Sequence, residues 1–116
     1  MHEGVAENLN AIIESCQKIM SRFHGISSPA DFIRDEDAQI RLDAIAMRLQ
    51  IIGENVKSIA KIDPAFLTDH PDINWRGIMR LRDIISHHYD AIDHEIVFNV
   101  CNERVPELLA YIERLK

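Results

Sequence analysis

DAQIRLDAIAMRLQIIGENVKSIAK (Asp37–Lys61) is the stretch that decides the fold. Within it Ile45, Leu49, Ile52, Val56 and Ile59 follow one another in steps of four and three, the spacing of a seam along one side of an α-helix. Ile40, Ala44, Met47 and Ile51 form a second apolar set off that seam. A helix that is apolar on two sides must cover both, inside a bundle or partly against another subunit. Gly53 sits mid-helix, where it costs about 1 kcal/mol relative to Ala. The expected return is close approach of a neighbouring helix.

The same periodicity extends outward on both sides. Val5, Leu9, Ile12, Ile13, Cys16, Ile19, Met20 and Phe23 make one apolar stripe on a first helix that Gly25 stops. Ser28-Pro29 with Asp31 reads as an N-cap, a proline at the first helical position and an acidic first turn. Downstream, Asp63-Pro64 opens a short helix through Phe66 and Leu67. Asn74 caps a third helix, Trp75 to about His88, with core positions Ile78, Leu81 and Ile85. Asp93 caps the last helix, which buries Val97, Val100, Cys101, Leu108, Leu109, Ile112 and Leu115. Pro106 inside that helix should kink it, because its ring removes a backbone donor and crowds the preceding turn. The expected fold is all-α, an up-and-down bundle of four long helices plus a short one, over a single domain spanning residues 1–116.

Composition supports this. The chain has 116 residues, 47% hydrophobic and 28% charged, the balance of a globular domain. Four Gly, four Pro and 6% aromatics are too few for a domain of many short strands. No apolar run approaches the ~18 residues of a membrane span, and the N-terminus has no basic region leading into an apolar stretch. Cys16 and Cys101 lie far apart outside any Cys-x-x-Cys motif, and read as small buried hydrophobes in a reducing cytoplasm. The net charge is −6, from 13 basic and 19 acidic residues. That argues against a broad, sequence-blind nucleic-acid binder. It leaves room for a local basic site.

One stretch holds such a site: Trp75-Arg-Gly-Ile-Met-Arg-Leu-Arg-Asp-Ile-Ile-Ser-His-His-Tyr-Asp90, with three arginines, two histidines, a tyrosine and two aspartates. On an ideal helix Arg76, Arg80, Asp83 and His87 share a face, and Arg82, Ser86 and Tyr89 form a separate stripe. Asp83, four residues before His87, can accept from one imidazole nitrogen and fix its tautomer. Arginines beside a histidine suit a phosphodiester: guanidinium grips phosphate oxygens in pairs, and histidine moves protons near neutral pH. The plainer readings are a solvated Arg–Asp salt-bridge face, a helix-end histidine acting as a cap, and Tyr89 as an edge-of-core aromatic. His87, His88 and His94 lack the spacing of a helical zinc site, His70 stands apart from them, and there is no glycine-rich phosphate loop, so neither metal nor cofactor is expected.

Arg82, four intervening residues, His87, one residue and Tyr89 resemble the Arg-x4-His-x-Tyr signature of HepT-type toxins, within the wider HEPN group of small helical domains. Trp75-Arg76 ahead of Arg82, Asp83 after it and Ile92-Asp93 after the tyrosine fit the same pattern. So do Ile52-Gly53-Glu54 with Lys57, and the proline in the last helix. The resemblance covers Asp37 to the C-terminus, and the first helix matches in type. It implies an all-α homodimer acting as a metal-independent endoribonuclease on RNA, held in check by a cognate minimal nucleotidyltransferase antitoxin. On this resemblance Arg82 and His87 are catalytic and Tyr89 is the point of AMP attachment. Asp83, Arg80, Arg76 and His88 support the site. The ideal helix wheel aligns Arg80, not Arg82, with His87, and His88 can share the proton-transfer role, so both choices stay open on geometry alone. The alternative function is a non-catalytic helical module that docks onto a nucleotidyltransferase.

Overall fold

The computed structural model describes residues 1–85 and 91–116. Helix α1 (Glu3–Phe23) runs into a 3-10 turn (Pro29–Ile33), then α2 (Glu36–Ile62). Three short helices follow: α3 (Pro64–Asp69), α4 (Trp75–Met79) and α5 (Leu81–Ile85). The chain ends in α6 (His94–Asn99), a π-turn (Val100–Arg104) and α7 (Val105–Leu115), which join without a break. The described residues hold no β-strand. The fold is all-α, as expected.

The ends of the helices are set by local chemistry. Asp35 Oδ1 accepts from Ala38 N at 2.8 Å and starts α2 one residue ahead of the expected Asp37. Asp31 Oδ2 accepts from Ser27 N at 2.8 Å and Ser28 N at 3.2 Å. The Ser27 N–H is the main reason that carboxyl is held below the usual carboxylate range. Asn74 Oδ1 accepts from Gly77 N at 3.1 Å, and Asp93 Oδ1 from Glu95 N and Ile96 N, both at 3.1 Å.

Long helix α2 is the spine. Its seam of Ile45, Leu49, Ile52, Val56 and Ile59 is fully buried, against α1 on one flank and the α4–α5 arm on another. Helix α7 packs along α1 and closes the core with Val105, Leu108 and Ile112. Cys16 and Cys101 are both buried and reduced. Met20, expected in the core, is 38% exposed, because it lies at the edge of the α1 stripe, beside the fully buried Ile19. The second set on α2 splits: Ile40 and Met47 stand 56% and 57% exposed, while Ala44 and Ile51 are half-buried.

Two helices depart from the periodic expectation. The third helix, expected to run unbroken from Trp75, is interrupted at Arg80, whose backbone (φ −96°, ψ 2°) leaves the helical region. Arg80 N donates to Gly77 O at 3.2 Å, and Arg80 O accepts from Asp83 N at 3.0 Å and Ile84 N at 3.1 Å. A tertiary contact lies just ahead of the break. A Cβ built on Gly53 would lie 3.0 Å from the Ile78 carbonyl oxygen, so the arm's backbone is seated directly on α2 where Gly53 leaves space. The last helix answers Pro106 with a π-turn, Val105 N–H donating back to Val100 O, and not with a sharp kink.

Candidate functional site

The arm formed by α4 and α5 is anchored before it carries any chemistry. Trp75 is buried, and its indole Nε1 donates to His70 O at 2.7 Å. His70 Nδ1 in turn lies 2.7 Å from Phe66 O, and the His70 ring rests 4.3 Å from that of Phe66. Tyr111 of α7 meets both His70 and Trp75 edge-on, at 6.2 and 6.4 Å. This aromatic knot fixes where α4 begins. Gly53 fixes where it ends. The motif halves on α2 and on the arm are therefore one packing unit. Glu54 and Lys57, also within the α2 motif, form an exposed ion pair at 3.5 Å.

From that anchored arm Arg76, Arg80 and Arg82 all project to solvent, as does Asp83. Between Trp75 and Ile85 three arginines face one aspartate, a local excess of two positive charges (3 − 1) on a body of net charge −6. Among the described residues every ion pair lies on α1, on α2 or in the 3-10 turn and its link to α2. Asp83 therefore does not neutralise Arg80 or Arg76 within pairing distance, contrary to the salt-bridge face that spacing alone allows. Guanidinium groups that have no carboxylate partner among the described residues can take phosphate.

The break at Arg80 also removes the basis of the helix-wheel angles. A tightened turn advances each residue further than the ~100° of an α-helix, so alignment of Arg80 with His87 does not follow from spacing. His87, His88 and Tyr89 lie outside the described residues. The segments flanking them are held together: Asp93 N donates to Ile85 O at 2.8 Å. Among the described residues no three His, Cys, Asp or Glu side chains are grouped to hold a metal ion. No helix there is long and apolar enough to cross a membrane.

One feature escapes sequence reasoning. Arg104, at the end of the π-turn, lines a cleft together with Asn74 of the α4 cap and Ile84 of α5. Pro106 is its only trace in the sequence, since a proline two residues into a helix marks a distorted turn ahead of it.

Comparison with known proteins agrees with this architecture. A probable ribonuclease HepT of Thermococcus cleftensis is 31% identical over 114 residues, covering 98% of this chain and 91% of that protein. A candidate RNase of Caldanaerobacter subterraneus is 29% identical over 107 residues, covering 92% and 89%. A candidate RNase of Methanocaldococcus jannaschii is 33% identical over 85 residues, covering 73% of this chain and 65% of that protein. No solved structure matches the chain. The family described as ribonuclease HepT-like matches residues 5–115, nearly the whole length, and the chain belongs to that family.

Proposed function

We propose that the chain is a metal-independent endoribonuclease, the toxin of a toxin–antitoxin pair, neutralised by a cognate nucleotidyltransferase that attaches AMP to Tyr89. Membership of the HepT-like family supplies the endoribonuclease class. The observation that carries the reading further is the arm itself: three solvent-facing arginines, unpaired among the described residues, on a support pinned by Gly53 and Trp75.

The chemistry needs only side chains. The RNA 2′-hydroxyl attacks the adjacent phosphorus as His87 takes its proton. The bond to the 5′-oxygen breaks, that oxygen regains a proton, and a 2′,3′-cyclic phosphate remains. Arg82 stabilises the charge that grows on the phosphoryl oxygens. Arg80 and Arg76 add phosphate contacts, Asp83 holds the imidazole, and His88 shares in proton transfer. AMP on Tyr89 brings a phosphate to the same arginines and repels the RNA backbone, so inhibition needs no unfolding.

A second copy completes the site in this reading. The motive is the exposed Ile40 and Met47 on α2, beside half-buried Ala44 and Ile51. The test of the switch is incubation with the partner nucleotidyltransferase and ATP, followed by peptide mass spectrometry. The modification maps to Tyr89, and Tyr89→Phe stays unmodified and toxic beside the partner. Neutralisation of Tyr89→Phe as complete as that of the wild type would replace the switch with simple occlusion.

A further inference from the structure

The cleft that Arg104 lines has a volume of about 230 Å³ and opens between α2, α4, α5 and the start of α7. Its walls are aliphatic: Leu49 and Ile52 from α2, Ile78 from α4, Leu81 and Ile84 from α5, Val105 from α7. Three polar side chains, Asn74, Arg104 and Glu107, join them. This lining limits the occupant. A phosphate would meet hydrocarbon where it needs donors. A drug-sized ligand needs more room, since such sites start near ~300 Å³. A single flat ring system with a polar edge fits, its faces against the aliphatic walls and its edge toward the polar groups.

The polar groups are complementary to such an edge. Ionised Glu107 only accepts hydrogen bonds and Arg104 only donates, so together they match an edge bearing a donor beside an acceptor. Asn74 is held in place: its Oδ1 is engaged by Gly77 N, and a Cβ on Gly77 would lie 2.7 Å from Asn74 Nδ2. Gly77 thus leaves that amide its position at the cleft. The cleft and the charged residues share α5: Leu81 and Ile84 line the cleft from one face of that helix, and Arg82 and Asp83 stand exposed on its other side, within one turn.

We propose that this cleft is a nucleobase subsite, taking an unpaired base of the RNA strand beside the scissile phosphate, with Glu107 and Arg104 reading its edge. Single-stranded RNA offers such splayed bases, and they are recognised by burial of their faces and hydrogen bonds to their edges. The proposal rests on the ribonuclease reading for its substrate, and on the cleft for its specificity.

The experiment has two arms. In the first, kcat/KM is measured on four RNA oligonucleotides that differ only in the base flanking the cleavage site. The wild type shows a preference of ~10-fold or more for one base. Ile84→Trp fills the cleft from a side chain already 37% exposed, and levels the four rates. Glu107→Gln, which gives the acceptor a donor, changes which base is favoured. In the second arm, nucleoside monophosphates are titrated into the wild-type protein while the methyl resonances of Ile52, Leu81 and Leu108 are followed. They shift with the nucleotides and not with ribose 5-phosphate. Equal rates on all four RNAs, an unchanged preference in Ile84→Trp, or equal shifts with ribose 5-phosphate would each overturn the subsite. Methyl groups silent to nucleotides but shifted by the nucleotidyltransferase would overturn it in favour of protein docking. A wild type that cleaves no RNA defeats the ribonuclease reading, and the titration still decides the cleft by itself.

Discussion

Replacing Gly53 by alanine sets two local effects against each other. Alanine raises helix propensity by about 1 kcal/mol at an interior position. Its Cβ, however, would stand 3.0 Å from the Ile78 carbonyl oxygen, 3.9 Å from the Met79 oxygen and 4.0 Å from the Met79 Cα. The first is shorter than the ~3.3–3.6 Å at which carbon and carbonyl oxygen normally touch. The obstacle is backbone, so no rotamer change relieves it, and the arm must retreat by a few tenths of an ångström. Overpacking of this kind costs ~1–3 kcal/mol. Set against the propensity gain, the net effect is a loss of ~0–2 kcal/mol, a fall in melting temperature of up to about 8 °C for a domain of this size. Activity should suffer more than stability. A misplacement of 1 Å can cost ~100-fold in rate, so a few tenths scale to roughly five- to ten-fold, felt through Arg80 and Arg82. Thermal unfolding and RNA cleavage measured on one preparation read both. A Gly53→Ala protein that melts higher than the wild type and cleaves at full rate would refute the claim that Gly53 positions the arm.

Other outcomes follow from the same structure. Ile52→Ala empties a side chain only 1% exposed in the core and should cost ~2–5 kcal/mol, read by denaturant unfolding. Burial pushes the Cys16 and Cys101 thiols from 9.0 up to about 12, with Glu113 adding to the effect at Cys16. Both should resist a thiol reagent at pH ~8 until the protein is unfolded. Because the folded value is raised, their contribution to stability is intact below pH 9 and is lost as pH climbs toward 12, which unfolding curves across that window will show. Met47→Glu places a charge on the exposed α2 stripe and should convert a dimer to monomers in sedimentation while leaving helix content unchanged.

How much of this was legible in the sequence depends on the range of the forces involved. The α2 seam and the caps at Asn74 and Asp93 are set by neighbours within a turn or two, and spacing alone locates them. The exposure of Arg76, Arg80, Arg82 and Asp83 is local in the same way. The break at Arg80 is not. It stands beside a long-range contact, the Ile78 carbonyl seated where Gly53 leaves space, and no periodicity within Trp75–Asp90 encodes that contact. The absence of an Arg80–Asp83 pair among the described residues was equally hidden, because spacing alone permits one. Pro106 announced a distortion, but not its form, a π-turn packed against α1 that leaves Arg104 lining the cleft. The roles of His87, His88 and Tyr89 rest on the family pattern.

The central claim is tested most directly by cleavage of a labelled RNA in excess EDTA, comparing wild type, Arg82→Ala and His87→Ala. The wild type should cleave without metal and leave 2′,3′-cyclic phosphate ends, and each variant should lose ~100-fold or more in rate. Cleavage by the wild type only when a divalent cation is restored, or either variant cleaving at the wild-type rate, would contradict the account.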